Sequence, residues 1–360
     1  MASINFLLSG VGISGGFICV MNHAAYLKQR GYDVHAYSMS QWDPAINELF
    51  PASVRDISVE LLTGAMPPAD IQVATHYTTV PTVAQSPARL RAQFVQHVET
   101  LFAVDIPEPG VLAPYIEATY KMPLYRICNS SWSRKVLSNL YGYAPDLALN
   151  AVDTAVYFPS SRERHVPAVV VSFSDGRKWK GTQDTYDALV LARSMAPDLD
   201  IQWHSFGGFK VADAPWIHHH GILSAADLNR LYNQSDVVLS LSWAESYPLP
   251  PIEAMAAGRI VISTQFGTED YLHDGVNGFT VPSRSPLAAA EKLVSVLTMS
   301  DGERANISAA AVATAHQHNW PRASAMFEQA LRRGLEAGIP PRAVWETEVL
   351  ESLGIPTITY

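Results

Sequence analysis

Two glutamates, Glu245 and Glu253, stand with seven residues between them in DVVLSLSWAESYPLPPIEAMAAGRIVIS, residues 236–263. The first falls in a loop after an apolar run that reads as a buried strand. The second falls in the first turn of a helix that Pro250 and Pro251 suit at its start and Gly258 suits at its end. A carboxylate at such a strand end can accept two hydrogen bonds from a ribose or sugar diol, while loop N–H groups and a helix N-terminus face phosphate. Taken singly, Glu253 reads as an ordinary first-turn acid favoured by the helix dipole.

A second candidate is a glycine loop. Gly10, Gly12 and Gly15 in FLLSGVGISGG, residues 6–16, fit G-x-G-x-x-G directly after an apolar run, where a dinucleotide fold would put it. Such a fold also needs an acid about 20 residues on, at the end of the second strand, for the ribose diol. Here that strand, DVHAYSM, ends in Ser38, Met39 and Ser40, and Asp33 sits at its wrong end. An oxidoreductase loses its most discriminating residue. What survives is general: a glycine loop opening a helix exposes N–H groups and a positive dipole end to an anion, the alternative being a tight turn without a ligand.

Metal chemistry finds little support. Asp198-Leu199-Asp200 has the D-x-D form of metal-dependent transferases, but it precedes a strand, on the side of the sheet away from a ligand crevice. His218, His219 and His220 are consecutive, and adjacent strand side chains alternate faces, so they read as a strand end. Cys19 and Cys128 give neither a disulfide framework nor a metal-ligand spacing.

These residues need a scaffold, and the chain alternates short apolar runs with helical patterns. INFLLSG, DVHAYSM, IQVATHY, AQFVQHV and YRICNSS read as strands, with helices over FICVMNHAAYLKQRG and WSRKVLSNLYG. Residues 104–123, rich in proline and aromatics, read as a loop or insertion near the site. FPSSRERHVP, residues 158–167, reads as a linker. The alternation then resumes with strands AVVVSFS, IQWHSFG, DVVLSLS, RIVIST and GFTVP and helices TYDALVLARSM and IEAMAAG. Strand–helix alternation implies parallel, doubly wound sheets. The expected architecture is α/β, two Rossmann-like domains facing a central cleft.

The bulk numbers agree. A chain of 360 residues exceeds what one core usually supports, and 48% hydrophobic with 16% charged residues describes a globular protein. A net charge of −9 argues against nucleic acid or an anionic membrane as main partner, since both need a basic face. The N-terminus lacks a basic n-region, INFLLSG is too short for a signal segment, and no run reaches about 18 apolar residues. A cytoplasmic protein in a reducing compartment, without a transmembrane segment, is the expectation.

The stretch around Glu245 resembles the E-x7-E signature of retaining GT-B glycosyltransferases of family 4, E-G-F-G-L-P-x-x-E-A-M-A-x-G. Other landmarks follow in order. Gly15-Gly16 resembles the glycine loop under the donor phosphates, NSSWSRKVL the S-x-W helix, and NAVDTAVYFP the interdomain segment. GRKWKG resembles the basic loop, FGTEDYLHDGVNGFTVP the segment ending in D-G-V-N-G, and HNWPRASAMFEQAL the closing helix. The likeness spans about residues 4–330. Ser246 and Pro248 replace the glycines of E-G-F-G, Ala151 and Asp270 replace a glycine and a glutamate, and the basic loop is two residues shorter.

The resemblance implies an acceptor-binding domain over 1–160, a nucleotide-sugar domain over 165–318, and a closing helix and tail over 319–360 that pack back on the first. It implies a retaining transfer of sugar from a nucleotide-diphosphate donor to a hydroxyl acceptor: a natural product, polysaccharide or lipid-linked glycan. Glu253 would hold the ribose and Glu245 the donor sugar, with Ser246, Tyr247 and Leu249 beside them and Gly15 and Gly16 on the sugar-phosphate side. Arg177 and Lys180, with Lys178 as competitor, would neutralise the departing diphosphate. RAQFVQHVE resembles the strand whose terminal histidine lies beside the reacting sugar, which selects His97. His76 is the second choice, and Glu99 and Asp153 are neighbours. No metal and no further cofactor are expected, and a homodimer is compatible. The rivals are a GT-B sugar phosphorylase, a nucleotide-sugar hydrolase, and a non-catalytic GT-B partner protein, to which Pro248 lends most weight.

Overall fold

Runs such as AVVVSF and IVIST are apolar at consecutive positions, so both faces of the strand must be covered, as in a parallel sheet flanked by helices. The computed structural model describes residues 2–12, 14–50, 52–101, 109–160 and 167–338 and contains two such sheets. Two compact units divide the chain: Met1–Asn150 with Trp320–Tyr360, and Ala151–Asn319.

In the first unit, β1 (Ser3–Leu8), β2 (Asp33–Ser38), β3 (Val59–Leu61), β4 (Ile71–Ala74), β5 (Leu90–Val95), β6 (Tyr125–Cys128) and β7 (Asp146–Leu147) form one sheet in the order β3-β2-β1-β4-β5-β6-β7. Every neighbouring pair is parallel. The order reverses direction around β1, and ligands bind at such switch points, beyond the carboxyl ends of the strands. The glycine loop leaves β1 at that point and runs into α1 (Gly15–Gln29). The other helices here are α2 (Ala52–Arg55), α3 (Val80–Ala84), α4 (Pro109–Lys121) and α5 (Ser131–Tyr141).

α4 corrects the loop expected over 104–123, whose residues 104–108 lie outside the described residues. The prolines masked a helical stripe: Leu112, Ile116 and Tyr120 recur at a spacing of four and pack with Val95, Val98 and Leu137. Pro114 is tolerated inside the helix.

In the second unit, β8 (Ala168–Phe173), β9 (Ile201–Phe206), β10 (Ile217–His219), β11 (Val237–Ser240), β12 (Ile260–Thr264) and β13 (Phe279–Val281) are ordered β10-β9-β8-β11-β12-β13, again all parallel. The helices are α6 (Thr182–Met195), α7 (Ala225–Gln234), α8 (Leu249–Ala256), α9 (Pro286–Leu297) and α10 (Asp301–Gln317). The switch point lies at β8, whose exit loop is the basic GRKWKG turn. The core gathers Val170, Trp203, Leu239 and Ile262 from the strands with Leu189 and Leu293 from the helices.

The chain then returns to the first unit as α11 (Trp320–Ala337). Phe327 of α11 is fully buried, its ring 4.5 Å from His23 and 5.1 Å from Phe94, and His23 Nδ1 lies 2.9 Å from Ser324 Oγ. The tail beyond 338 lies outside the described residues.

The first division falls at Asn150, ahead of the expected boundary at 160. Residues 152–160 are tied into the second unit: Val152 N–H donates to the His318 carbonyl at 2.9 Å, and Ser160 N–H to Asn233 Oδ1 at 2.7 Å. Residues 161–166 of the expected linker lie outside the described residues.

Candidate functional site

The second unit gathers the charged residues at the exit of β8. Lys178–Lys180 form one turn, closed by Gly181 in the left-handed region at φ 66°. A Cβ on Gly181 would stand 2.0 Å from the Leu241 carbonyl oxygen, so only glycine lets the turn lie this close to the end of β11. That closeness brings Lys180 to Glu245: Nζ is 2.6 Å from Oε1, with side chains 16% and 13% exposed. Arg177 is exposed and engages Asp175 through Nε and Nη2, both at 2.8 Å. Its guanidinium lies 4.9 Å from the Trp179 ring centre, and Lys180 Nζ lies 4.3 Å from the same ring. Lys178 is exposed. The expected pair therefore shares one indole, and each cation has its own carboxylate.

Beyond Glu245 the loop turns inward. Ser246 is buried, and its Oγ has no hydrogen-bond partner among the described residues. A buried hydroxyl in that state is costly unless something binds it. Tyr247, expected at the donor, has its side chain packed inside the unit, its hydroxyl 2.8 Å from His318 Nδ1 and its ring 4.9 Å from Tyr271. Leu249 is buried too. Gly267, at φ 87°, packs against the Glu245 carbonyl, which would lie 2.1 Å from a Cβ there. Its N–H donates to Glu269 at 2.7 Å.

Glu253 sits in α8 and is 9% exposed. The Tyr232 hydroxyl donates to its carboxylate at 3.1 Å, and Tyr157 is a second hydroxyl donor. Burial pushes its pKa up to about 7, against the lowering effect of the two tyrosines. α8 starts Leu249-Pro250-Pro251 after Pro248 at the cap. Three of those four residues lack an N–H, so this helix end offers an anion its dipole but few donors.

In the first unit, α1 opens at the end of β1 with Ser14 as cap, its hydroxyl accepting from Phe17 N–H at 3.2 Å. Gly15 and Gly16 occupy the open first turn. A Cβ on Gly16 would meet the side-chain amide of Gln96 at 3.5 Å, and Gln96 Oε1 is buried without a partner among the described residues. Gln96 escaped notice in the sequence, although it directly precedes His97.

His97 is half-buried just past β5, and its carbonyl accepts from the Tyr120 hydroxyl at 2.8 Å. Tyr120 also donates to Glu99. His76 caps the next turn, with Nδ1 2.9 Å from Thr78 Oγ1 and Nε2 3.8 Å from Glu99 Oε1. Burial lowers the His76 pKa to about 4 and raises that of Glu99 to about 7. Near neutrality this is an uncharged imidazole beside a carboxyl that readily gains or loses a proton. Arg126 fixes Tyr120 from behind by donating to the Thr119, Tyr120 and Met122 carbonyls at the end of α4. Glu99 therefore groups with His76, while Asp153 lies in the second unit, accepting from Ala155 N–H at 3.0 Å.

Asp198 and Asp200 are exposed before β9, where the Asp200 carbonyl accepts from Ala168 N–H at the start of β8. That is the end of the sheet opposite the basic turn. The histidine run does end β10, but His218 and His220, two apart, share a face with His204 of β9: His204 Nδ1 is 3.0 Å from His220 Nε2. The neighbouring strand supplied what the run alone lacked, and burial with the two nearby imidazoles lowers the His204 pKa to about 4. Among the described residues, no three ligating side chains converge on one point, and no helix is long and apolar enough to cross a membrane.

Residues 169–299 match the family described as glycosyl transferases group 1. A D-inositol 3-phosphate glycosyltransferase of Arthrobacter sp. (strain FB24) is 29% identical over 203 residues, covering 50% of this chain and 48% of that protein. The O-antigen biosynthesis protein RfbC of Myxococcus xanthus is 26% identical over 220 residues, covering 58% of this chain and 16% of that protein. The chain thus spans half or less of these two relatives. Among solved structures, the sucrose-phosphate synthase of Thermosynechococcus elongatus superposes with a TM-score of 0.76 at 15% identity, covering 94% of this chain and all of that one. HepE of Anabaena, solved in complex with UDP and glucose, gives 0.74 at 16% identity, covering 92% of this chain and 100% of that one. The structural neighbours are GT-B glycosyltransferases. Residues 169–299 therefore resemble the glycosyl transferases group 1 family, on a fold of two parallel-sheet α/β units shared with GT-B glycosyltransferases.

Proposed function

We propose that the protein is a glycosyltransferase that moves a sugar from a nucleotide-diphosphate donor to a hydroxyl acceptor with retention of configuration. The observation that carries this reading is the half-buried Lys180–Glu245 pair at 2.6 Å, set at the switch point of the unit that matches the group 1 family, with the Arg177–Asp175 pair on the same turn. In this reading Arg177 and Lys180 stabilise the charge that grows on the diphosphate as the glycosidic bond breaks. Glu245 orients the donor sugar, the unpartnered Ser246 hydroxyl meets the donor, and Glu253 receives the ribose diol in place of its tyrosines. The acceptor hydroxyl attacks the face the diphosphate leaves, and its proton passes to the departing phosphate oxygen, so no protein nucleophile is required. The first unit then serves the acceptor, with His97 beside the reacting centre, His76 and Glu99 on the acceptor side, and Gly15 and Gly16 at the sugar phosphate.

The test is incubation with UDP-, GDP-, ADP- and dTDP-sugars against a panel of hydroxyl acceptors. Acceptor-dependent release of nucleotide with an α-linked product from an α-linked donor is expected. Release without acceptor would assign a hydrolase, consumption of donor only with inorganic phosphate would assign a phosphorylase, and no release from any donor would leave the non-catalytic alternative.

A further inference from the structure

Two of the three cations on the β8 turn, Arg177 and Lys180, share one partner that is not charged. Trp179 is 7% exposed, and both the Arg177 guanidinium and Lys180 Nζ lie within 4.9 Å of its ring centre. We propose that Trp179 is a positioning residue, whose indole holds Arg177 and Lys180 in place for a single diphosphate. This rests on the donor reading of the turn given above.

Each cation also has a carboxylate, Asp175 for Arg177 and Glu245 for Lys180. An arriving diphosphate is itself an anion and competes with those carboxylates for the same N–H groups. A cation that turns to phosphate loosens its carboxylate pair as it does so. The ring does not compete in this way. Its negative face attracts a cation without cancelling the charge, so it can keep both side chains in place while their N–H groups are handed to the ligand. It also offsets the mutual repulsion of two like charges three residues apart.

The backbone that carries the ring is anchored. The Trp179 carbonyl accepts from Trp243 N–H at 2.8 Å, two residues before Glu245, and Gly181 presses the turn onto the end of β11. The loop that carries Glu245 and the turn that carries the cations are therefore tied together at Trp179.

Calorimetric titration of UDP, GDP, ADP, dTDP and inorganic pyrophosphate into wild type, Trp179→Phe and Trp179→Leu tests this, with melting temperatures measured alongside. Phenylalanine keeps an aromatic face; leucine keeps apolar bulk without one. We expect about tenfold weaker binding of the preferred diphosphate by Trp179→Leu and at most about threefold by Trp179→Phe, at similar melting temperatures. Equal weakening in both variants, following their melting temperatures, would make the ring mere packing and overturn the proposal. So would wild-type affinity in Trp179→Leu, which leaves the donor reading intact. A wild type that binds none of the five probes would overturn the donor reading of the turn and this proposal with it.

Discussion

Glu253 is a buried acid whose hydrogen-bond donors are both tyrosines, and its pKa rises from 4.5 to about 7 because burial outweighs them. The folded protein therefore holds a proton there that the unfolded chain has released between those pH values. Its contribution to stability is complete below about pH 4.5 and falls as pH rises through 7. Glu253→Gln removes that dependence, so its stability relative to wild type should rise between pH 5 and pH 8, by up to about 3 kcal/mol for a shift of this size. Denaturant melts of both proteins at the two pH values measure it. A difference that stays constant would mean that the carboxyl is solvated in the folded state. His76 has the opposite sign, its lowered pKa making stability fall as pH drops below 6.5 toward 4, so only the comparison of variants isolates Glu253. The proposed roles of the two histidines separate by kinetics. His97→Ala should lower turnover at saturation by roughly a hundredfold, as loss of a group at the reacting centre does, with donor affinity kept. His76→Ala should act mainly on acceptor KM. Donor affinity lost in His97→Ala with normal turnover would move that residue away from the chemistry.

At the scale of elements, the basic turn depends on one backbone angle. Gly181→Ala would place a methyl 2.0 Å from the Leu241 carbonyl and hold alanine at φ 66°, costing roughly 2–4 kcal/mol together. Retreat of the turn from β11 should also part Lys180 from Glu245, so turnover should fall further than the fraction unfolded explains. Activity matched to the folded fraction would show that the turn's position is immaterial. This dependence also shows what was readable in the chain. Most of the parallel strands were legible because their apolar runs are continuous, as in AVVVSF, but the short β3 and β7 were not, and the strand order that makes switch points of β1 and β8 appears only in the fold. α4 was not, because prolines at 109 and 114 read as loop while the stripe Leu112, Ile116, Tyr120 passed unnoticed. Partners distant in sequence were least legible. Nothing local to Glu253 announces Tyr232, and nothing in His218-His219-His220 announces His204, because the packing of α7 on α8 creates the first contact and the pairing of β9 with β10 the second.

The molecule as a whole is acidic, with 34 Asp and Glu against 25 Lys and Arg, so in the proposed reaction long-range attraction would not gather a diphosphate and local groups would have to neutralise it as it leaves. Cations, dipoles or a bound metal ion can all supply that charge. Two of these are built into the units themselves. Arg177 and Lys180 stand on one turn beside Trp179, and the open first turn of α1 offers the N–H groups of Gly15 and Gly16 with the dipole behind them. α8 contributes less, given its prolines. The D-x-D sequence, at Asp198 and Asp200, lies at the end of its sheet opposite the basic turn and is not placed to hold a metal against a phosphate there. If the side chains carry the task, turnover should persist in excess EDTA, and the Arg177→Ala, Lys180→Ala double variant should lose at least about a thousandfold, as loss of two charged stabilisers at a leaving group implies. The double variant should also fail to recover in Mn²⁺ or Mg²⁺. Abolition of wild-type turnover by EDTA, with restoration by either ion, would transfer the leaving-group charge from these two residues to a metal.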